Sequence, residues 1–249
     1  MILHGSPALC MVIPGKIATP AKPGAGRYDG DFSGKGLGVP IEVLYADASL
    51  IVVNKPADML SVPGRGEAKQ DCCSARVQAL YADAQVVHRL DMATSGLLLF
   101  ARGADCQRHL SMQFQARTVE KTYVAVVSGQ LVQCVHPWQT INLPLITDWP
   151  NRPRSKVDWE IGKPSVTQWQ VQHYHAATDQ TRVTLVPVTG RSHQLRVHLL
   201  ALGHPIVGDA LYAPETKGAA SRMLLHAQDL SVTHPLDQRR LHFNCPADF

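Results

Sequence analysis

The chain has 249 residues, 45% of them hydrophobic, with 24 Lys and Arg against 20 Asp and Glu for a net charge of +4. That length suits one large domain, or one domain with a small appendage, and the apolar share is ordinary for a protein with a proper core. No apolar run nears the roughly 18 residues that cross a bilayer, so no membrane segment is expected, and the mild basic excess fits a polyanionic partner.

Residues 1 to about 38 are rich in Gly and Pro, among them Pro20, Pro23, Gly24, Gly26, Gly30, Gly34, Gly36 and Gly38. Such a stretch gains little from burial and loses much backbone entropy on folding, so residues 1–38 read as a disordered or loosely attached extension. Met1 to Pro14 has no basic leader and no cleavage site, and no secretory signal is read there. Order is expected to begin near Ile41. Leu50 to Asn54 reads as a buried strand that Lys55-Pro56 ends. The spacing predicts a helix over 69–81, a strand over 97–101 and a helix over 105–117 with Leu110 and Phe114 on one face. Lys121 to Val127 reads as a strand with Lys121, Tyr123 and Ala125 on one side and Thr122, Val124 and Val126 on the other. Thr167 to Tyr174 and Arg182 to Val188 read as two more strands. Ser192 is expected to cap a helix that runs to Leu202 and stops at Gly203. Met223 to Leu230 and Arg240 to Phe243 suggest further structure. Strands interleaved with a few helices, without strict β-α-β alternation, favour an α+β domain with a mixed, largely antiparallel sheet.

The six cysteines, Cys10, Cys72, Cys73, Cys106, Cys134 and Cys245, form no C-x-x-C pair. They read as reduced thiols of a cytosolic protein rather than a zinc knuckle or redox motif.

Three blocks carry residues suited to chemistry. In His88-Arg89-Leu90-Asp91-Met92-Ala93-Thr94-Ser95-Gly96 an acid sits between a basic residue and a tight turn, just before an apolar strand that would hold it rigidly. In an extended segment Arg89 and Asp91 share a side while Leu90 points away. Taken alone, this block reads first as a turn cap beside solvated surface. Thr189-Gly190-Arg191-Ser192-His193-Gln194-Leu195-Arg196-Val197-His198 puts two arginines and two histidines at the start of a short helix, where anions are attracted. Leu195, Leu199 and Leu202 would anchor that helix and leave Arg196 free to meet a carboxylate or a phosphate. Lys121-Thr122-Tyr123 offers a ring that can stack on an unpaired base.

The order H-R-L-D-x-x-T-S-G, K-T-Y, G-R-S-H-Q-L-R-x-H, G-H-P-I-x-G-D and L-L-H-A resembles the RluA family of RNA pseudouridine synthases over about residues 41 to 249. The resemblance implies a catalytic domain over 39–249, a mixed antiparallel sheet with flanking helices and loops around an RNA cleft, and no S4 domain. It implies that Asp91 is the catalytic aspartate. Tyr123 would be the active-site tyrosine, stacking on the target base with a part in proton removal. Arg196 would pair with the aspartate and keep it ionised, and Arg89 would assist base flipping. No metal and no organic cofactor is implied. His88, Thr94 and Arg191, with Arg152 and Arg154 in the Pro-rich loop, are expected to bind the RNA, whose affinity should fall steeply with salt. Arg117 and Lys121 are expected near the cleft. Pro144 to Pro153 and the closing Pro246-Ala247-Asp248-Phe249 resemble the branch of that family with two substrates, a 23S rRNA hairpin and the tRNA anticodon stem-loop. The alternative is another rRNA site alone.

Other classes compete. A metal-dependent hydrolase would use His88, Asp91, His193, His198 and His204, whose later spacings miss the usual helical i, i+4 pairing. A serine hydrolase lacks the G-x-S-x-G elbow around Ser95 or Ser192. A non-catalytic RNA-binding protein would not need Asp91, Tyr123 and Arg196 together. No long apolar seam is visible, which points to a monomer.

Overall fold

In a computed structural model, residues 40–132, 136–216 and 218–249 are described. The Gly- and Pro-rich extension, Cys10 and Cys134 lie outside them. The strands are β1 (Glu42–Ala46), β2 (Leu50–Lys55), β3 (Ala84–Val86), β4 (Ser95–Arg102), β5 (Glu120–Ser128), β6 (Gln139–Asn142), β7 (Leu145–Thr147), β8 (Ser155–Val157), β9 (Val166–His175), β10 (Gln180–Pro187), β11 (Leu225–Thr233) and β12 (Arg240–Asn244). The helices are α1 (Cys73–Leu80), α2 (Gly103–Ala116) and α3 (Gln194–Ala201).

The apolar run predicted as a strand is the spine of the molecule. Within β4, Leu97, Leu99 and Ala101 pack with Cys106 and Leu110 of α2, whereas Leu98 and Phe100 pack with Cys73 and Val77 of α1. A strand covered on both faces needs apolar residues at consecutive positions, which is why this one does not alternate. Each fully buried Leu or Phe contributes on the order of 2 kcal/mol. The larger sheet runs β1-β2-β4-β11-β5-β10-β9-β6, with β12 beside β11 and β3 beside β4. Its pairings are antiparallel except β4 with β11, which are parallel at Ser95 with His226 and Gly96 with Ala227. The fold is therefore α+β with a mixed, largely antiparallel sheet. Gly96 makes the parallel joint possible: its φ is +108°, and a Cβ there would lie 2.3 Å from the Ala227 carbonyl oxygen. Only a glycine accepts that approach.

Several boundaries move. The first helix begins at Cys73 because Cys72 is extended and its sulfur accepts the Ala75 N–H, while Glu67–Lys69 forms a separate 3-10 turn. Ser192 is not the cap of α3. That position falls to His193, in the left-handed region at φ 56° and without a side-chain cap bond, and the Gln194 side chain instead accepts the Arg191 N–H. Gly203 follows the helix at φ +82°, as a C-terminal stop requires. Leu195 and Leu199 are buried as expected, whereas Leu202 is 37% exposed, and Arg196 and His198 are buried beside them. Periodicity missed β1, β3 and β6 to β8, whose three to five residues are too short to show a repeat. β7 and β8 form a separate two-stranded hairpin.

Burial also keeps imidazoles neutral. His198 donates from Nε2 to the Leu143 carbonyl and accepts from Thr167 Oγ1. His226 donates to the Cys245 carbonyl and accepts from Ser95 Oγ. His88 accepts the Leu99 N–H. Burial lowers all three pKa values, that of His88 to about 3. On unfolding each regains its ordinary value near 6.5, so below that pH the unfolded chain binds the extra protons and stability is lost as pH falls. The loss reaches about 1.4 kcal/mol per pH unit for each histidine. Calorimetry should therefore find a Tm at pH 5 lower than at pH 7 by more than about 5 °C; equal values would contradict it.

Candidate active site

Main-chain clamps on both sides hold Asp91. Before it, the Leu90 N–H donates to Ser61 Oγ at 3.0 Å, and that hydroxyl donates back to the Leu90 carbonyl at 2.7 Å. After it, Lys55 Nζ donates to the Met92 carbonyl at 3.0 Å and to the carbonyls of Pro56 and Met59. The Thr94 N–H closes a turn onto the Asp91 carbonyl at 3.1 Å. Lys55 is fully buried, and burial draws its pKa down to about 8. In the sequence Lys55 had marked only the end of a strand. A lysine that closes a buried strand just before proline is the signal that could have pointed to it.

Arg196 reaches the carboxylate from α3. Its Nη1 donates to Asp91 Oδ2 at 3.2 Å, as the pairing expected. Its stronger contact is to a residue that sequence reasoning left within a motif and gave no role. Asp209 accepts from Nε and Nη2 at 2.7 Å each, in the bidentate fork typical of arginine with a carboxylate. Asp209 is 1% exposed and also accepts the N–H groups of Leu211 and Tyr212. Burial disfavours the guanidinium charge, but Asp209 and then Asp91 outweigh it and raise the pKa. His193 Nε2 lies 3.8 Å from the same Asp91 Oδ2, and its Nδ1 is 2.8 Å from the Tyr212 hydroxyl. Among the described residues no group hydrogen-bonds Asp91 Oδ1, so one carboxylate oxygen is anchored and the other is unbonded.

Asp91, His193 and Arg196 line a cavity of about 1200 Å³, larger than the roughly 300–1,000 Å³ usual for small-molecule pockets. Asp91, Tyr123 and Arg196 all border it, as do Arg89, Thr94 and Arg191. Tyr123 comes from β5, where its Cα pairs with Leu185 and Ala227. Burial and the Asp91 charge push its phenol pKa up, so the free enzyme holds it protonated. Arg89 and Arg191 are exposed, and among the described residues neither has a carboxylate partner. Arg117 and Lys121 border the cavity as expected.

Three expected RNA contacts stand elsewhere or are already engaged. His88 borders the cavity, but Nε2 is occupied by the Leu99 N–H and the ring stacks on Phe114 at 4.5 Å between centroids. With Nε2 accepting, the neutral ring carries its proton on Nδ1. Arg152 and Arg154 do not line the cavity. They sit at the turn of the β7–β8 hairpin, from which Pro153 alone borders it. Arg152 covers the Trp149 ring at 4.5 Å, and Arg154 donates to the Leu211 carbonyl over the Tyr212 ring. Among the described residues, no cluster of three or more His, Cys, Asp or Glu is arranged to hold a metal.

A buried arginine clamped between two carboxylates, beside a protonated tyrosine in a basic-rimmed cavity, suits an enzyme that acts on a polyanion. The family model for RNA pseudouridylate synthase matches residues 49–201, more than half of the chain. The chain belongs to this family, enzymes that isomerise uridine in RNA to pseudouridine, and within it to the RluA group. It is 51% identical over 211 residues to the dual-specificity RNA pseudouridine synthase RluA of Escherichia coli strain K12, across 83% of this chain and 93% of that one. It is 46% identical over 210 residues to the protein of that name from Haemophilus ducreyi, across 84% and 94%. Among solved structures, human RNA pseudouridylate synthase domain containing 1 superposes with a TM-score of 0.70 at 29% identity, covering 84% of each chain. A second human protein, domain containing 4, gives 0.61 at 24% identity over 82% of this chain and 88% of that one, a likeness of fold.

Proposed function

We propose that Asp91 is the catalytic group, working from its free Oδ1. The observation that carries this reading is the Asp91–Arg196–Asp209 arrangement, in which Arg196 neutralises and anchors one edge of the acid. The reaction breaks the N1–C1′ bond, turns the base and joins C5 to C1′; a proton then leaves C5 and one is taken up at N1. An ionised carboxylate serves by attacking covalently or by acting as a base at the sugar. Tyr123 stacks on the extruded base and takes part in removing the C5 proton, for which the phenol must first pass on its own proton. Flipping the uridine costs a few kcal/mol, less in a strained loop. Arg89 at the rim assists it. Arg191, Thr94 and the hairpin arginines Arg152 and Arg154 contact the RNA, and residues 39–249 carry the activity.

The substrates proposed are a 23S rRNA hairpin and the tRNA anticodon stem-loop, modified in the cytoplasm by a monomer. The dual-specificity relatives and the Pro144 to Pro153 stretch support this pair. Purified protein without added metal or cofactor should modify unmodified transcripts of both RNAs, read by carbodiimide treatment and primer extension. New stops in rRNA alone would restrict the enzyme to one RNA class, and stops in neither would reject both substrates.

A further inference from the structure

The β7–β8 hairpin and the catalytic carboxylate are joined through one phenol. Tyr212 Oη accepts the N–H of Ser155, the first residue of β8, at 2.7 Å. The same oxygen lies 2.8 Å from His193 Nδ1 and 3.3 Å from the Ser155 carbonyl oxygen. A phenol has one proton to donate, and the nearer acceptor is the imidazole nitrogen. Donation to Nδ1 rather than to the Ser155 carbonyl would leave the His193 proton on Nε2, the nitrogen 3.8 Å from Asp91 Oδ2. Arg154 of the hairpin lies over the Tyr212 ring at 5.9 Å, and Arg196 lies over it at 4.9 Å.

His193 is held for this task by its backbone, which takes a left-handed conformation at φ 56° just before α3. The charged and titratable groups facing it are Asp91, Arg196, Asp209 and Tyr212. Burial keeps the imidazole below its ordinary pKa against the pull of Asp91. The terminal torsion of an aspartate is soft, so the single Arg196 bond does not set the plane of the carboxylate. The Nε2 edge of His193 faces the same oxygen from 3.8 Å, beyond hydrogen-bond distance, so it becomes a second donor that fixes where Oδ1 points only on closing by about 1 Å.

We propose that His193 is a positioning residue for Asp91, oriented by the Tyr212 hydroxyl, and that this chain transmits RNA contact at the β7–β8 hairpin to the catalytic carboxylate. The inference rests on the reading of Asp91 as the catalytic group. Loss of activity in Asp91→Asn tests that reading separately, because the relay variants leave Asp91 intact.

The test measures kcat and KM against pH on a tRNA anticodon stem-loop transcript for Tyr212→Phe, His193→Gln and the double variant of the full chain. Tyr212→Phe should lower kcat ten- to a hundredfold, on the order of what sub-ångström misplacement costs, with KM within about twofold. The acid limb of its kcat profile should move to higher pH, because an imidazole without a donor on Nδ1 takes up a proton more readily. In the His193→Gln background the same change should cost nothing further and move no limb. A wild-type kcat and pH profile for Tyr212→Phe, an effect on KM alone, or the same factor lost in both backgrounds would overturn the proposal. Should Tyr212→Phe lower Tm enough to obscure kinetics, His193→Gln, which keeps a neutral N–H, should retain more activity than His193→Ala; equal activity would overturn it as well.

Discussion

Asp91→Asn is expected to bind RNA with unchanged affinity and to form no pseudouridine, kcat falling by at least roughly ten-thousandfold. The substitution keeps the shape of the side chain. The loop around it is held by Ser61, Lys55 and Thr94 through main-chain groups, none of which depends on the Asp91 carboxylate. An amide oxygen still accepts the Arg196 N–H, and Arg196 keeps its two bonds to Asp209. What disappears is the negative charge, and with it both nucleophilicity and basicity. Pseudouridine mapping on the two transcripts, with a filter-binding isotherm and a thermal melt, separates these effects. Turnover within about tenfold of wild type would defeat the assignment of Asp91, whereas a loss of Tm by more than a few degrees would mean that the carboxylate supports the fold.

The second large effect concerns Asp209. Asp209→Ala leaves a buried arginine charge without its bidentate partner, since Asp91 supplies only one bond and is the more exposed, at 28% of its side chain against 1% for Asp209. Breaking a buried pair from one side costs about 3–5 kcal/mol, and for a chain of this size that is a Tm lowered by roughly 10 °C. Activity should fall about a hundredfold as well, because the guanidinium that orients Asp91 loses its own anchor. The double variant Arg196→Met with Asp209→Leu removes both charges and should recover most of the stability but none of the activity. A Tm within about 2 °C of wild type for Asp209→Ala would show that the pair contributes little.

Much of the site was legible in the residues themselves. Asp91 lies between a residue that points into the core and a turn, and alternation alone put Arg89 on its side of the chain. Arg196 follows from the count along its helix and meets a carboxylate as that count allowed, in a helix buried on nearly all sides from Gln194 to Leu199, so that its polar groups are paired rather than solvated. Tyr123 followed from the strand that carries it. Arg152 and Arg154 were expected in a Pro-rich loop, but nothing local shows that the loop is a hairpin whose arginines are already stacked on Trp149 and Tyr212. Asp209, Tyr212, Lys55 and Ser61 were missed as site residues for a common reason. Each reaches the site only through the folded chain: Asp209 meets Arg196 across 13 positions, Tyr212 meets His193 across 19, Ser61 meets Leu90 across 29 and Lys55 meets Met92 across 37.

The sequence by itself determined the class of fold, and its motif order singled out Asp91, Tyr123 and Arg196, which border one cavity, because hydrophobic period, turn residues and motif order are local properties that survive without coordinates. The tertiary structure alone decided which carboxylate holds Arg196 most firmly, which oxygen of Asp91 is left free, and which histidines are neutral struts. Those outcomes depend on distances of 3 to 4 Å between segments far apart in the chain, and on desolvation, a quantity that exists only once the core has closed.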